Sequence, residues 1–290
     1  MLIVFNPAAG RRRAQRLWRV LDILNASGCR FEIRETTQHG HAETLAREAV
    51  RNGATMVVAA GGDGTIAEVA NGLSGSGVCL GVIPLGTANV LAYELGLPFA
   101  PRLIAASLAF RRTRQIWPGL ARGPNGDRLF VQMLSVGFDA SVVEHLSLPL
   151  KRSIGRSAYV WQTLRELLRY RFEPIRLLVD GREVEARGVI VTKGMYYGGR
   201  YMLAPDADPG TPGFSVVLFD CRGAGGALMY GAMLPLNRLG RAPGVRQMRA
   251  ERVDFMNNQP FPAQADGDTV DWMPLSVTDA PRPISIVISQ

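Results

Sequence analysis

The sequence predicts an α/β domain with a mainly parallel sheet, followed by a β-rich sandwich domain. The first half repeats one unit, an apolar strand, a loop and an amphipathic helix, which specifies parallel strands covered by helices. The second half is a series of short strand-like runs separated by turn dipeptides such as Asp180-Gly181 and Asp266-Gly267. Between them, near residues 112–128, Arg111-Arg112, Pro118, Gly119, Gly123, Pro124 and Gly126 cluster as a linker would. The implied domains are residues 1–118 and 125–290, with a return of the last strand to the first domain left open.

Leu2 to Phe5 reads as a short apolar strand. Asn6-Pro7-Ala8-Ala9-Gly10 is then a turn before a helix with Leu17, Val20, Leu21 and Leu24 on one face. Phe31 and Ile33 alternate with Glu32 and Arg34 as in an edge strand. Thr36-Thr37 follows, and His41 opens a helix with Ala42, Leu45, Ala46 and Ala49 inward. His39 and His41 lack a third ligand at metal-binding spacing and read as loop residues.

Met56 to Ala60 is a run buried on both faces. Gly61-Gly62-Asp63-Gly64 forces a tight turn, and Ile66, Val69, Ala70 and Leu73 give the next helix its apolar stripe. Strand, glycine turn and helix together form a phosphate-binding geometry. Glycines let the backbone approach a ligand, and the helix N-terminus adds about half a positive charge. Asp63 would repel a polyphosphate unless a divalent cation lies between them. The turn therefore reads as a site for a metal–nucleotide complex, or else Asp63 is held by its own turn amides. Gly62 to Ala67 also fits the dinucleotide fingerprint, but the next strand, Val78 to Ile83, ends in Pro84-Leu85-Gly86, with no acidic residue to hold a ribose. Pro84-Leu85-Gly86-Thr87-Ala88-Asn89 and a helix through Leu95 complete the first half.

In the second half, 129–136, 175–179, 184–192, 214–219, 252–256, 275–277 and 284–288 read as strands. One helix, Gly155 to Tyr170, interrupts them with Val160, Leu164, Leu167 and Leu168 on one face.

Composition narrows the function classes. The chain has 290 residues, 47% of them hydrophobic, and no run approaches the ~20 apolar residues of a membrane span. Cys29, Cys79 and Cys221 suit neither a disulfide framework nor a zinc site, and no export signal precedes Asn6-Pro7, so a reducing, cytoplasmic setting is expected. A formal charge of +8, carried mostly by arginine, favours nucleotides or anionic headgroups. No nucleic-acid-binding signature accompanies it, and nucleic acid is not expected as a partner. Arg11-Arg12-Arg13 is either a second wall of a phosphate site or a solvated helix start.

Taken together, Asn6 to Gly10, the GGDGT run Gly61 to Thr65 with Glu68 and Asn71, and Pro84 to Asn89 resemble the bacterial diacylglycerol kinase-like lipid kinases. Gly137-Phe138-Asp139-Ala140, Tyr197-Gly198-Gly199, Ala204-Pro205 and Asp266-Gly267-Asp268 extend the resemblance over essentially the whole chain. GGDGT followed some 20 residues later by PLGTAN is the specific pair. The resemblance implies a kinase that uses ATP and Mg²⁺ on a lipid hydroxyl. It places ATP contacts on Asn6, Pro7, Ala8, Ala9, Gly10, Thr37, Gly61, Gly62, Asp63, Gly64, Thr65, Glu68, Thr87 and Asn89. It makes Asp63 the magnesium-directed carboxylate, and Asp268 or Asp266 the base. Two departures stand out: Asp268 replaces the usual Glu of its tripeptide, and Pro212-Gly213-Phe214 replaces an Asp-Gly-Leu-like segment of a second, structural magnesium site. Asp206 and Asp208 are candidates to compensate there.

Two rivals remain at this point: an NAD kinase-like enzyme, which shares GGDGT, and a catalytically impaired lipid or nucleotide regulator. A lipid substrate implies peripheral work at the inner membrane face. Residues 223–239, apolar with Arg238 and Arg241 at the end, are a candidate contact, or else an ordinary helix kinked at Pro235. The oligomeric state is left open, a homodimer being one option.

Overall fold

The computed structural model describes residues 1–9, 14–145, 156–257, 261–270 and 275–289. The chain forms two compact units, one of Met1–Trp117 with Pro281–Gln290, the other of Pro118–Ala280.

The first unit is a six-stranded sheet. Its strands are β1 (Leu2–Phe5), β2 (Glu32–Glu35), β3 (Met56–Gly61), β4 (Cys79–Pro84), β5 (Thr113–Ile116) and β20 (Ile284–Val287), in the order β2-β1-β3-β4-β20-β5. All neighbours are parallel except β20 and β5. Every residue of β3 is buried, as a central strand covered on both faces requires. Helices α1 (Ala14–Ala26), α2 (His41–Arg51), α3 (Asp63–Leu73), α4 (Val90–Glu94) and α5 (Pro101–Phe110) follow the strands. The stripes expected of α1, α2 and α3 are all buried.

The second unit is a sandwich of two six-stranded sheets. The first contains β6 (Gly119–Gly123), β7 (Gly126–Phe130), β9 (Ile175–Val179), β10 (Arg182–Ala186), β16 (Arg252–Phe255) and β19 (Leu275–Asp279). The other contains β8 (Met133–Gly137), β11 (Gly188–Thr192), β14 (Phe214–Phe219), β15 (Val245–Ala250), β17 (Ala263–Ala265) and β18 (Asp268–Thr269). Phe130, Phe214, Phe255 and the aliphatic residues of both sheets form one core. A small ribbon pairs β12 (Tyr196–Tyr197) with β13 (Tyr201–Met202). The helices are α6 (Phe138–Glu144), α7 (Arg156–Leu167) and α8 (Gly223–Met233).

Several sequence expectations need correction. The stretch read as a linker is mostly strand: β5 closes the first sheet, and β6 and β7 form a hairpin in the second unit. Its glycines serve both the β6–β7 turn, where Gly126 has φ 122°, and close packing. A Cβ at Gly119 would stand 2.1 Å from the Phe130 ring, so only glycine lets that ring lie across the strand. The run 129–136 divides into β7 and β8, and 184–192 into β10 and β11. In each case the chain crosses between sheets in one or two residues, with no Pro, Asn-Gly or Asp-Gly turn signal to mark the break. The return of the last strand to the first unit, which the sequence leaves open, takes place: β20 lies between β4 and β5. Of the face expected in α7, Leu167 is buried, but Leu164, and Leu168 just past the helix end, face solvent. The expected start of that helix, Gly155, lies outside the described residues. Pro235 kinks nothing, because α8 has ended at Met233.

Candidate active site

In the first unit, β1 to β4 are mutually parallel and in register, so their carboxyl ends share one edge of the sheet. Asn6, Thr37, Gly62-Asp63 and Gly86 to Asn89 follow those four ends. Ligands gather at this edge in open α/β sheets.

Asn6 staples two of the loops together. Its Nδ2 donates to Thr65 Oγ1 at 3.0 Å, and its Oδ1 accepts the Ala8 amide at 2.9 Å. Its own amide donates to the Ala60 carbonyl at 3.0 Å. Pro7 and Ala8 are exposed on that turn, with Ala9 half-buried. Gly10 and Arg11 to Arg13 lie outside the described residues. Thr37 is exposed and is held by His41 at the start of α2, whose Nδ1 accepts the Thr37 amide at 3.1 Å. That contact gives His41 a local structural role.

The glycine turns after β3 and β4 lie backbone against backbone. A Cβ at Gly86 would come within 2.5 Å of the Gly62 Cα, and the Leu85 and Gly86 amides both donate to the Gly61 carbonyl, at 2.8 and 3.1 Å. A Cβ at Gly61 would meet Thr65 Oγ1 at 2.4 Å. Gly62 is the N-cap of α3 and offers no side chain, so the positive end of that helix is left uncapped by any side chain beside Gly64.

Asp63, half-buried, is tied to the other turn. Its Oδ1 accepts the Leu91 amide at 3.4 Å, at the start of α4. Burial pushes its carboxyl above the ordinary aspartate range, and the amides of Leu91, Val90 and Asn89 oppose that rise. The carboxylate is thus held chiefly by the neighbouring loop, an arrangement that neither sequence reading of Asp63 anticipated. Thr87 is exposed. Asn89 is buried in a left-handed conformation with φ 49°. Its Nδ2 donates to the Gly86 carbonyl at 2.7 Å, and its buried Oδ1 has no hydrogen-bond partner among the described residues. Glu68 departs from expectation. It is buried, and its Oε2 accepts the Ala42 amide at 3.0 Å, so it holds the first turn of α2. Sequence reasoning also missed Arg16, which donates to the Pro84 carbonyl at 2.6 Å with its guanidinium 5.6 Å from the Phe99 ring centre. One arginine on the polar side of a helix gives no periodic signal.

The second unit gathers three sequence motifs into one hydrogen-bond network. Asp139, in the first turn of α6, accepts from Ser135 Oγ and Tyr197 Oη, and from Gln264 Nε2 at 3.2 Å. Gln264 Nε2 also reaches Ser135 Oγ at 2.9 Å, and its Oε1 accepts the Gly267 amide at 2.7 Å. Asp266 and Gly267 turn β17 into β18 with φ 51° and 91°. Asp266 accepts the amides of Val131, Gln132 and Met133 at 2.6, 2.9 and 3.0 Å, which fastens the crossing from β7 to β8. Asp268, partly exposed, accepts from Arg128 Nη2 at 2.7 Å.

Residues 1–119 match the diacylglycerol kinase catalytic domain family, and residues 132–288 match the YegS C-terminal NAD kinase beta sandwich-like domain family. The chain belongs to the diacylglycerol kinase-like lipid kinase family. A Bacillus subtilis relative named "Diacylglycerol kinase" is 32% identical over 71% of this chain and 68% of its own length. A Pseudomonas putida relative named "Probable lipid kinase YegS-like" is 32% identical over 63% of this chain and 62% of its own. The matched region thus spans about three fifths of the YegS-like relatives' length, 62% and 58% in two further examples. Two solved structures of Bacillus anthracis str. Sterne proteins named as diacylglycerol kinases share the fold. Their TM-scores are 0.79 and 0.70 at 20% and 17% identity, covering 99% of this chain and 94% and 96% of theirs.

The residues of the first unit fit the nucleotide that a kinase family implies. Interlocked glycine turns leave backbone where a Cβ would intrude, the α3 terminus has no side-chain cap, and Asn89 Oδ1 is a buried acceptor without a partner. For Mg²⁺, no three His, Cys, Asp or Glu side chains converge among the described residues. Asp63 is the carboxylate at this edge, and magnesium is commonly held by one or two carboxylates together with substrate phosphates. The second, structural magnesium site, which the departure at Pro212 to Phe214 already put in doubt, does not fit the residues of this loop. Lys193 has a fully buried side chain, and its Nζ donates to the carbonyls of Thr211 and Gly213 at 3.1 and 2.6 Å and to Asp279 Oδ1 at 2.7 Å. Asp279 Oδ2 accepts the Gly213 amide at 2.6 Å. Burial pulls the lysine pKa below its usual range, and the Asp279 hydrogen bond acts against that. An ammonium thus stands among the oxygens of this loop, and Pro212 brings no carboxylate.

Proposed function

We propose that this chain is an ATP-dependent lipid kinase that transfers the γ-phosphate to a hydroxyl of a lipid such as a diacylglycerol or a sphingoid or ceramide-type lipid. The observation that carries the reading is the interlock of the Gly61-Gly62 and Leu85-Gly86 turns at the sheet edge shared by Asn6, Thr37 and Asp63. Backbone amides and the α3 terminus would bind and align the nucleotide phosphates. When bound, Mg²⁺ supplies neutralisation of phosphate charge, and Asp63 is the residue to hold it. Phosphoryl transfer needs little else beyond a group that takes the proton of the acceptor. The acceptor oxygen bonds to the γ-phosphorus as the bond to the β-phosphate oxygen breaks, ADP leaves, and the hydroxyl proton passes to a carboxylate. Asp268 is that carboxylate in this reading. Asp266 spends both its oxygens on backbone amides, whereas Asp268 pairs with the Arg128 side chain and is partly exposed.

The test is turnover of labelled ATP by the purified full chain against diacylglycerol, sphingoid base, ceramide, phosphatidylglycerol and NAD, with and without Mg²⁺. Phosphorylated lipid formed only with Mg²⁺ is the expected product. Phosphorylation of NAD alone would make the chain an NAD kinase-like enzyme, and nucleotide binding without turnover would make it a regulator. Work on lipid would place the protein peripherally at the inner membrane face, and no helix among the described residues is long and apolar enough to cross a membrane.

A further inference from the structure

From residue 161 onward, helix α7 buries two polar side chains beside Leu167. Gln162 and Glu166 are each 4% exposed, while Trp161, Leu164 and Leu168 are 60%, 48% and 88% exposed. At roughly 100° per residue these three fall within one narrow arc opposite Gln162 and Glu166. The buried side is fixed by specific bonds: Glu166 Oε1 accepts from Ser141 Oγ of α6 at 2.7 Å, and Gln162 Nε2 lies 3.4 Å from Glu166 Oε2. Rotating the helix to bury its apolar arc would break the Ser141–Glu166 bond and leave the buried Ser141 hydroxyl without its acceptor. Arg165 is exposed on the same helix, and Arg169 and Arg171 are exposed in the segment that follows it, ahead of the exposed Glu173. Helix α8 lies against α7; it has no charged residue, buries none of its side chains fully, and leaves Leu228 half exposed. An apolar arc with arginines beside its C-terminal end complements a surface that is apolar beneath and anionic above.

We propose that the outer face of α7 and the segment that follows it dock this chain onto an anionic bilayer, with Trp161, Leu164 and Leu168 entering the headgroup layer and Arg165, Arg169 and Arg171 meeting lipid phosphates. The inference rests on the lipid-kinase reading, and it names the surface by which such an enzyme would meet its substrate's membrane. Tryptophan suits this role because its ring is apolar and its N–H remains at the wet boundary.

The test is co-sedimentation of the full chain with vesicles of phosphatidylcholine alone and of phosphatidylcholine with phosphatidylglycerol, neither containing an acceptor lipid. Wild type binds the anionic vesicles and releases them in high salt. Replacing Arg165, Arg169 and Arg171 by Gln weakens binding by roughly fivefold per arginine. The variant W161Q/L164Q/L168Q, all at exposed positions, keeps its circular dichroism and loses binding. Three results would each overturn the proposal: no wild-type binding to anionic vesicles, wild-type affinity in both triple variants, or a W161Q/L164Q/L168Q variant that binds normally but sediments as a smaller species, which would make the face a contact between copies. Turnover on short-chain diacylglycerol in detergent is a separate arm. Its absence in wild type removes the kinase reading, and the vesicle result then stands or falls alone.

Discussion

Gly86 and Gly62 approach so closely that a Cβ on the first would stand 2.5 Å from the Cα of the second. The two turns that would hold the nucleotide thus fix each other's position, and the backbone of one is the packing surface of the other. Gly86→Ala forces them apart. Overpacking of this kind costs about 1–3 kcal/mol, seen as a lower Tm. ATP affinity, followed by calorimetry, falls more steeply than stability does. Unchanged ATP binding in a folded Gly86→Ala protein would contradict the assignment of these turns.

Asp63→Asn separates function from stability. Burial raises the Asp63 pKa, so the native state favours its neutral form: that contribution is fully present below the ordinary aspartate pKa and is lost as pH rises through the native value. At neutral pH the asparagine variant has a Tm equal to or above that of wild type, and the difference shrinks towards acid pH. Turnover is nevertheless abolished. A variant that unfolds readily, or one that keeps its activity, would refute this.

Asp266 and Asp268 lie two residues apart and are used differently. Asp266→Ala leaves three backbone amides without their acceptor and costs about 1–3 kcal/mol. Asp268→Asn keeps its Tm and lowers kcat by roughly 10²–10⁴-fold with little change in KM for ATP. Should the Asp266 variant keep wild-type stability, or the Asp268 variant wild-type kcat, the division of labour is wrong.

Lys193→Met takes away the cation paired with Asp279 and should destabilise the chain by about 3–5 kcal/mol, read from denaturant unfolding. Chelation of divalent ions, by contrast, leaves the wild-type unfolding curve where it was. A large loss of stability in EDTA would show that the loop at Pro212 depends on a metal after all.

Much of this molecule was legible in its residues, and where legibility failed the reasons are physical. The stripe of α3 and the burial of β3 follow from local periodicity, and GGDGT with PLGTAN located the sheet edge that carries the candidate site. Periodicity gives the direction of an apolar face but not what covers it, so Leu164 and Leu168 were assigned to the core and lie outside it. Glu68 sits inside the phosphate-turn motif, yet its partner Ala42 is 26 residues away. The network of Tyr197, Asp139 and Gln264, and the placement of Lys193 beside Asp279, join residues 58 to 125 positions apart. No spacing rule reaches that far.

The position of β20 between β4 and β5 sets an order of events during synthesis. Both neighbours leave the ribosome early and then wait while all of Pro118–Ala280 is made, roughly 10–30 s at ordinary elongation rates. For that interval β4 and β5 present open edges that could pair with another nascent chain. The sandwich, contiguous in sequence, has all its strands before β20 emerges, so the later half of the polypeptide can fold first and the nucleotide unit closes last.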